Sequence, residues 1–337
     1  MESTDTTEHP FTLVIDWLAF TLPDASDEAV REFLGGDWIE GETGFRGYPK
    51  SWISAGGSRG VGKLGTGAPR RLREAHVDLS GGIVSAWDFS KLQGVLRWIR
   101  EHNGKVTRID CALDDRKGLV SLAQVEAALE AGQVVTHADD IEGLNKKSIR
   151  NKCRQKGATL YIGSPKSQTR LRIYDKRLEL QQRHRPDWEN FGIRWELQLK
   201  EERANACAQT LACLEEPDWH EFVVGLLRSY VDFRDIADDD PDWVRYQAPL
   251  LPWWAELTEG FRKSRLIVQK ETRSLEDAKQ WVSRSLAPML AVLAVAPGAG
   301  EEWLRNVIAA GADRWKLRHY QLLKSSKPLK PYKLKPS

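Results

Sequence analysis

The run Arg170-Leu171-Arg172-Ile173-Tyr174-Asp175-Lys176 sets one phenol among three cations. Apolar and polar positions alternate along it, the pattern of a half-buried strand with period two. Arg170, Arg172, Tyr174 and Lys176 then share one face, and Leu171 and Ile173 share the other. Such a face suits attack on a phosphodiester. Its cations would hold the phosphate and favour phenolate over phenol, whose unperturbed pKa is about 10. A strand edge with ordinary solvated charges carries the same pattern.

Two further runs alternate in the same way. Arg108, Asp110 and Asp114 share a polar face behind which lie Ile109, Cys111 and Leu113. Arg194, Glu196, Gln198 and Lys200 oppose Ile193, Trp195, Leu197 and Leu199. If the three strands are neighbours in one sheet, Asp110, Asp114 and Glu196 meet Tyr174 on its polar face. Hard carboxylate oxygens beside a phosphate suit Mg²⁺ or Mn²⁺. A surface ion network with the nearby arginines is the alternative, and it would add little stability.

The elements that must position these residues form two similar halves and a helical remainder. Phe11 to Leu22 alternates, and Asp24 to Phe33 reads as a short helix with Ser26 as its cap. Glycine-rich punctuation from Gly35 to Gly67 holds strand-like patches at Phe45–Tyr48 and Trp52–Ala55. His76 to Ser80 alternates, and a helix over Asp88–Asn103 gathers Leu92, Val95, Leu96 and Ile99 on one face. The order then repeats: a strand at Arg108, a helix over Ser121–Ala131, and strands at Tyr161, Tyr174 and Arg194. Val14-Ile15-Asp16-Trp17-Leu18 echoes Arg108-Ile109-Asp110-Cys111-Ala112. The fold class that follows is α+β: a pseudo-duplicated antiparallel-sheet core with helices on one face, then a helical C-terminal segment.

The expected domains are an N-terminal half over 1–105, a catalytic half over 106–210, a helical region over 211–323 and a basic tail over 324–337. In the helical region Ala204–Leu214, Trp219–Tyr230, Leu275–Val295 and Glu301–Leu323 read as helices, with Pro288 and Pro297-Gly298 as breakers. Trp253, Trp254, Trp281, Trp303 and Trp315 are expected in its core rather than as base-stacking platforms.

Thr159-Leu160-Tyr161-Ile162-Gly163-Ser164-Pro165-Lys166-Ser167, followed by Arg172-Ile173-Tyr174-Asp175-Lys176 and Glu179, resembles the signature of the Rep_trans replication initiation factors. These are rolling-circle initiators of plasmids and filamentous phages, with relatives that act as relaxases of conjugative elements. The Arg108–Asp114, Arg194-Trp195-Glu196 and His76–Gly82 runs resemble family segments in the same order. The resemblance covers about residues 10–210. It implies a tyrosine, here Tyr174, that nicks one DNA strand and stays bound to the 5′ phosphate. It implies metal-binding carboxylates at Asp110, Asp114 and Glu196, with Glu179 a weaker candidate. It implies origin DNA as the partner, as supercoiled duplex with a hairpin or single-stranded nick site, and a host helicase and polymerase. Arg172, Lys176 and Arg194 are expected to orient the phosphate.

Composition sets bounds. The net charge is only +2, yet residues 146–203 carry sixteen Lys/Arg against seven Asp/Glu. Within that stretch Lys146, Lys147, Arg150, Lys152, Arg154 and Lys156 form a loop that would clamp a DNA backbone if it faced the groove, with Arg170 beside it. A solvated loop is the alternative. The tail interleaves Lys324, Lys327, Lys330, Lys333 and Lys335 with Pro328, Pro331 and Pro336, so an extended arm is expected. Four cysteines without a CxxC pair read as reduced and structural. No apolar run reaches membrane-spanning length, and Met1–Pro10 is polar, which leads to an expectation of cytoplasmic action without a membrane partner. No histidine-hydrophobe-histidine triplet occurs among the seven histidines, which disfavours a His-coordinated nickase. No GxxxxGK[ST] occurs, so no ATP-driven helicase is encoded, and Gly56–Lys63 reads as a mobile loop. Either a monomer or a homodimer is compatible with the sequence.

Overall fold

The computed structural model describes residues 10–55, 61–69, 71–148, 154–237, 242–258, 260–266, 275, 279, 282–296, 300–312, 314 and 315; for 55, 145–148, 154–156, 242, 243, 284, 285 and 312 it describes the backbone only. Ten of its strands form one antiparallel sheet. In chain order these are β1 (Phe11–Leu22), β2 (Trp38–Glu40), β3 (Lys50–Ala55), β4 (Val61–Ala68), β5 (Arg71–Ser80), β6 (Lys105–Asp115), β8 (Ile141–Ser148), β9 (Arg154–Ile162), β10 (Thr169–Asp175) and β11 (Ile193–Lys200). Two short strands, β7 (Val134–Thr136) and β12 (Val231–Phe233), pair separately.

The spatial order is β2-β3-β4-β5-β1-β6-β11-β10-β9-β8. Read outward from the centre, β1, β5, β4, β3 and β2 match β6, β11, β10, β9 and β8, so the two halves share one topology and meet at the antiparallel pair β1 and β6. The helices obey the same repeat. α1 (Asp27–Leu34) follows β1, and α4 (Leu122–Glu130) follows β6. After β5 come α2 (Gly81–Val84) and α3 (Phe89–Glu101); after β11, beyond the short α5 (Lys176–Gln182) that precedes it, comes α6 (Glu201–Leu211). The duplicated α+β core is therefore as expected.

Local chemistry fixes the helix starts. Ser26 caps α1 by accepting from the Ala29 amide at 3.1 Å, and Asp88 caps α3 through Lys91 at 2.7 Å. Ser121 and Gln124 form a reciprocal capping box at α4. One face of the sheet is apolar: Leu18, Phe20, Val77, Ile109, Cys111, Leu113, Ile173, Trp195 and Leu197 are all buried there. It packs on α3, α6 and α7 (Glu216–Tyr230), whose Val95, Leu96, Cys207, Leu211, Val223 and Val224 join the same core. Burial of each large side chain stabilises the fold by roughly 1.5–3 kcal/mol.

Several expectations shift. Phe45–Tyr48 is a tight turn closed by an isolated bridge, not a strand patch. The run from Val61 is strand β4, so Gly62 and Lys63 are not part of a loop, and 56–60 lie outside the described residues. The basic stretch after Asn145 is not a plain loop, because β8 and β9 pair from Ile141/Ile162 to Ser148/Arg154; 149–153 lie outside the described residues.

Two compact units divide the chain, residues 1–268 and 269–337. In the first unit Trp254 is fully buried within the helix Pro252–Thr258, and Trp253 of the same helix packs partly buried against the core. In the second unit, helices cover Ala287–Val295 and Gly300–Ala312, with Pro288 in the first turn of the former rather than breaking it. Trp303 and Trp315 are exposed rather than core, and Trp281 and the tail lie outside the described residues.

Candidate active site

Adjacent registers bring the singled-out residues together. β6, β11 and β10 are consecutive neighbours, with Arg194 opposite both Asp114 and Tyr174. Arg172 pairs with Glu196, and Glu196 with Ala112, so period two puts all of these side chains on the sheet face opposite the core. Tyr174 is the penultimate residue of β10, with Arg172 stacked 4.1 Å above its ring and the Lys176 Nζ 5.7 Å from it. Lys176 is not on the strand: Asp175 accepts from the Leu178 amide at 2.7 Å and starts α5, of which Lys176 is the first residue.

Arg194 is the pivot. It is buried and donates from Nε and Nη2 to both Asp114 oxygens, at 2.6 and 2.8 Å, and from Nη1 to Asp16 at 2.8 Å. Burial alone would weaken its proton, but the Asp114 bonds outweigh it and hold the guanidinium charged. Glu196 accepts from Arg172 at 3.3 Å and from Gln198 at 2.7 Å. Asp110 accepts two bonds from Arg108, at 3.0 and 2.6 Å. Glu179 lies between Lys176 at 3.0 Å and Arg183 at 2.9 Å; burial would raise its carboxyl, yet these cations keep it below its ordinary value.

The expected easing of the phenol's ionisation is reversed. Tyr174 is buried, and that burial pushes its hydroxyl above the ordinary tyrosine value. Arg194 opposes the shift, whereas Glu179, Glu196 and Asp16 add to it. The cations surrounding the ring are already matched by carboxylates, so the free protein holds Tyr174 as a neutral phenol.

The carboxylates differ as possible metal ligands. Asp114 has both oxygens committed to Arg194, and Glu179 is committed to Lys176 and Arg183. Asp110 and Glu196 lie on neighbouring strands, diagonal to each other, and repel. Burial pushes the Asp110 carboxyl up to about 7, against the pull of Arg108 and with the push of Glu196 and Asp16. Asp110 likewise has both oxygens on Arg108, and Glu196 has one on Arg172 and the other on Gln198, so each of these four carboxylates would have to release a partner to ligate a Mg²⁺-like ion. Among the described residues, no three His, Cys, Asp or Glu side chains converge as a closed cage.

Other expected contacts are placed less centrally. Arg170 stacks 3.8 Å over Tyr161 and donates to Glu142 at 2.8 Å, toward the sheet edge. Lys146, Lys147, Arg154 and Lys156 are described by backbone alone in β8 and β9, and Arg150 and Lys152 lie outside the described residues. Asp16 was not singled out as a site residue. It sits where β1 slips register between Ile15 and Trp17, so strict alternation hides it, although the echo of Ile15-Asp16 in Ile109-Asp110 is a signal for it.

The fold and this face define an α+β protein whose duplicated sheet presents a tyrosine, arginines and paired carboxylates on one polar surface. The chain belongs to the Rep_trans family of replication initiation factors, whose family model matches residues 104–308. It is 24% identical over 331 residues to the putative DNA relaxase NicK of Bacillus subtilis (strain 168), spanning 94% of this chain and 91% of that protein. Its fold is shared with a rolling circle replication initiator protein from Geobacillus stearothermophilus, at a TM-score of 0.59 and 24% identity, over 72% of this chain and 94% of that one. Among the described residues, no helix is long and apolar enough to cross a membrane.

Proposed function

We propose that the chain nicks one strand of DNA at a replication origin by tyrosine transesterification. The observation that carries this is the register Tyr174↔Arg194 and Arg172↔Glu196, which sets a phenol between two arginines on a polar sheet face. The Tyr174 oxygen attacks the scissile phosphorus as the bond from phosphorus to the 3′ oxygen breaks. The phenolic proton passes to a facing carboxylate; Glu179, Glu196 and Asp16 are those whose charge acts on the phenol. The 3′ oxygen takes up a proton from solvent and leaves as the hydroxyl that primes synthesis, and the 5′ phosphate stays on Tyr174. Arg172 and Arg194 hold the phosphate oxygens and stabilise the charge that builds on them. Lys176 adds a third cation at the strand end. One phosphodiester replaces another, so a later strand reverses the step without ATP.

An anionic phosphate beside the ring favours the neutral phenol further, so Tyr174 attacks as its proton is taken up rather than as a preformed phenolate, and Arg172 and Arg194 stabilise the charge on the phosphate oxygens. Asp110 and Glu196 would hold Mg²⁺ or Mn²⁺ on releasing Arg108 and Arg172, and Asp114 and Glu179 could join only by giving up their own ion pairs. A bound ion would polarise a phosphoryl oxygen and neutralise developing charge. Lys146 and Lys147 on β8, Arg154 and Lys156 on β9, and Arg150, Lys152 and Arg170 would grip the flanking backbone. Unwinding and synthesis fall to a host helicase and polymerase.

The test is a denaturing gel of supercoiled plasmid bearing the gene and its flanks, incubated with and without Mn²⁺. A covalent protein–DNA band that disappears in Tyr174→Phe is expected; a band that persists in that variant sinks the assignment. The near end-to-end alignment with a putative DNA relaxase favours a second reading, the same chemistry used in conjugative transfer. Mobilisation of a plasmid carrying the nick site between cells separates the two.

A further inference from the structure

The N-terminal half repeats the catalytic registers with altered residues. In the C-terminal half Ala112 faces Glu196, Asp114 faces Arg194, Arg172 faces Glu196 and Tyr174 faces Arg194. In the N-terminal half Ala19 faces Asp78, Thr21 faces His76, Lys63 faces Asp78 and Gly65 faces His76. Asp78 thus stands for Glu196, His76 for Arg194, Lys63 for Arg172 and Gly65 for Tyr174. The Arg194–Asp114 pair has its counterpart in the 2.9 Å hydrogen bond between Thr21 and His76. The nucleophile has none: a Cβ on Gly65 would meet the Tyr48 ring at 3.0 Å.

That face is built to bind. The turn Phe45-Arg46-Gly47-Tyr48 folds over it with Arg46 and Gly47 both at positive φ. The Tyr48 ring stacks parallel to His76, and the Phe45 ring lies 6.0 Å from it. Lys63 and Arg46 bracket the Phe45 ring, at 5.4 and 5.6 Å. The acids lie beneath: Asp78 and Glu74 are buried, while Arg46 and Arg71, which pair with them, are more than half exposed. The outer layer is therefore cationic and aromatic. Between the two copies, Arg108 stacks 4.3 Å over Trp17. The Trp17 indole N–H and the His76 Nε2 are both buried without a hydrogen-bond partner.

We propose that the N-terminal half of the sheet is a second, non-cleaving site for single-stranded DNA, with Phe45 between Arg46 and Lys63 as its base-and-phosphate holder and Trp17 on Arg108 as the step toward Tyr174. Aromatic faces stack bases regardless of sequence, and cations track the backbone. Five strand spacings separate β10 from β4, about 24 Å at 4.8 Å each. That is the length of about seven stacked nucleotides at 3.4 Å. One strand can thus lie across both halves with its scissile phosphate at Tyr174. The inference rests on the nicking proposal for its direction, but its readout is binding alone.

The test uses full-length protein and fluorescent (dT)16 and (dT)5, followed by anisotropy over a salt series. The double variant Arg46→Gln/Lys63→Gln should lose about tenfold of the affinity advantage of (dT)16 over (dT)5. Its salt slope on (dT)16 should fall by about 1.4, two phosphates at roughly 0.7 each. An unchanged advantage and slope overturn the proposal. Should the double variant melt early, photocrosslinking of the parent protein to (dT)16 carrying 5-iododeoxyuridine decides. Adducts on Phe45 or Trp17 support the site, and their absence from both overturns it. A Tyr174→Phe protein that still forms the covalent band would refute the nicking assignment while leaving these binding results standing.

Discussion

Asp114→Asn probes the pivot of the site. Asp114 and Arg194 are almost wholly buried, and two bonds of 2.6 and 2.8 Å join them. Removing one charge from a buried pair leaves the other uncompensated, which costs about 3–5 kcal/mol. The amide keeps one acceptor oxygen and Asp16 still faces Arg194, so the low end applies, about 3 kcal/mol. At about 2–4 °C per kcal/mol for a domain of this size, the midpoint falls by roughly 6–12 °C. Circular dichroism melts of the parent, Asp114→Asn, Arg194→Met and the double variant give a complete cycle. The double variant should recover most of the loss, since neither charge then lies buried alone. Asp16→Asn, whose carboxylate is partly solvated, should cost less than about 1 kcal/mol. A change under about 0.5 kcal/mol for Asp114→Asn, or a double variant as unstable as the two single losses summed, would refute the view that Asp114 holds Arg194 in place rather than holding a metal.

Asp110, raised to about 7 by burial, binds a proton in the folded state that the unfolded chain releases near its ordinary value. Its stability contribution therefore falls as pH rises from about 4 to 7; Asp110→Asn should melt higher than the parent at pH 8 and show little difference at pH 4.5. Mn²⁺ should raise the parent's melting midpoint at pH 8 and leave Asp110→Asn unmoved, which checks the proposed ligand without any DNA present. Asp232 is fully buried and accepts from Trp254 at 2.8 Å and from Arg234 at 2.7 Å, with Lys263 at 2.9 Å and Arg228 at 3.4 Å as further partners. Burial would raise its carboxyl, but the Trp254 and Lys263 bonds dominate and keep it below its ordinary value. Its stabilisation is present above about pH 4 and is lost as pH falls through the folded value. Asp232→Ala should therefore destabilise by about 3–5 kcal/mol at pH 7, read as a drop in urea midpoint, with a smaller deficit at pH 3.

The sequence pattern made the strands legible because each buries one face only. Leu171-Ile173, Ile109-Cys111-Leu113 and Trp195-Leu197 alternate with charges, and all three became neighbours in one sheet. What alternation could not show was partnership. Arg194 has equal access to Asp114 and to Asp16 by residue type, and only the register of β6 with β11 and the slip in β1 assign both. The phenol's ionisation is hidden from the sequence for a related reason. Counting cations near Tyr174 along its own strand leaves out the carboxylates that β11 and α5 bring to the same ring and the burial they share. Lys176 was placed on the strand because the alternation runs on through Asp175, whose capping bond to Leu178 turns the chain into α5.

Duplication lets one face carry both the proposed nicking site and the proposed strand-holding site. Two copies of a five-stranded unit joined at β1 and β6 put every polar position of both on the same side, because antiparallel pairing keeps facing residues on one face. Ion pairs can then diverge in one copy without disturbing the packing of either. In the C-terminal copy a bulky phenol stands opposite a buried arginine that two carboxylates hold. In the N-terminal copy the matching position is glycine, and the vacated volume holds the Tyr48 ring, whose hydroxyl donates to Glu74 at 2.5 Å. A tyrosine at Gly65 would therefore not create a second phenol in the same place, since its ring would displace Tyr48 and break the Tyr48–Glu74 hydrogen bond. The asymmetry is fixed by packing, and it leaves one phenol at these matched positions.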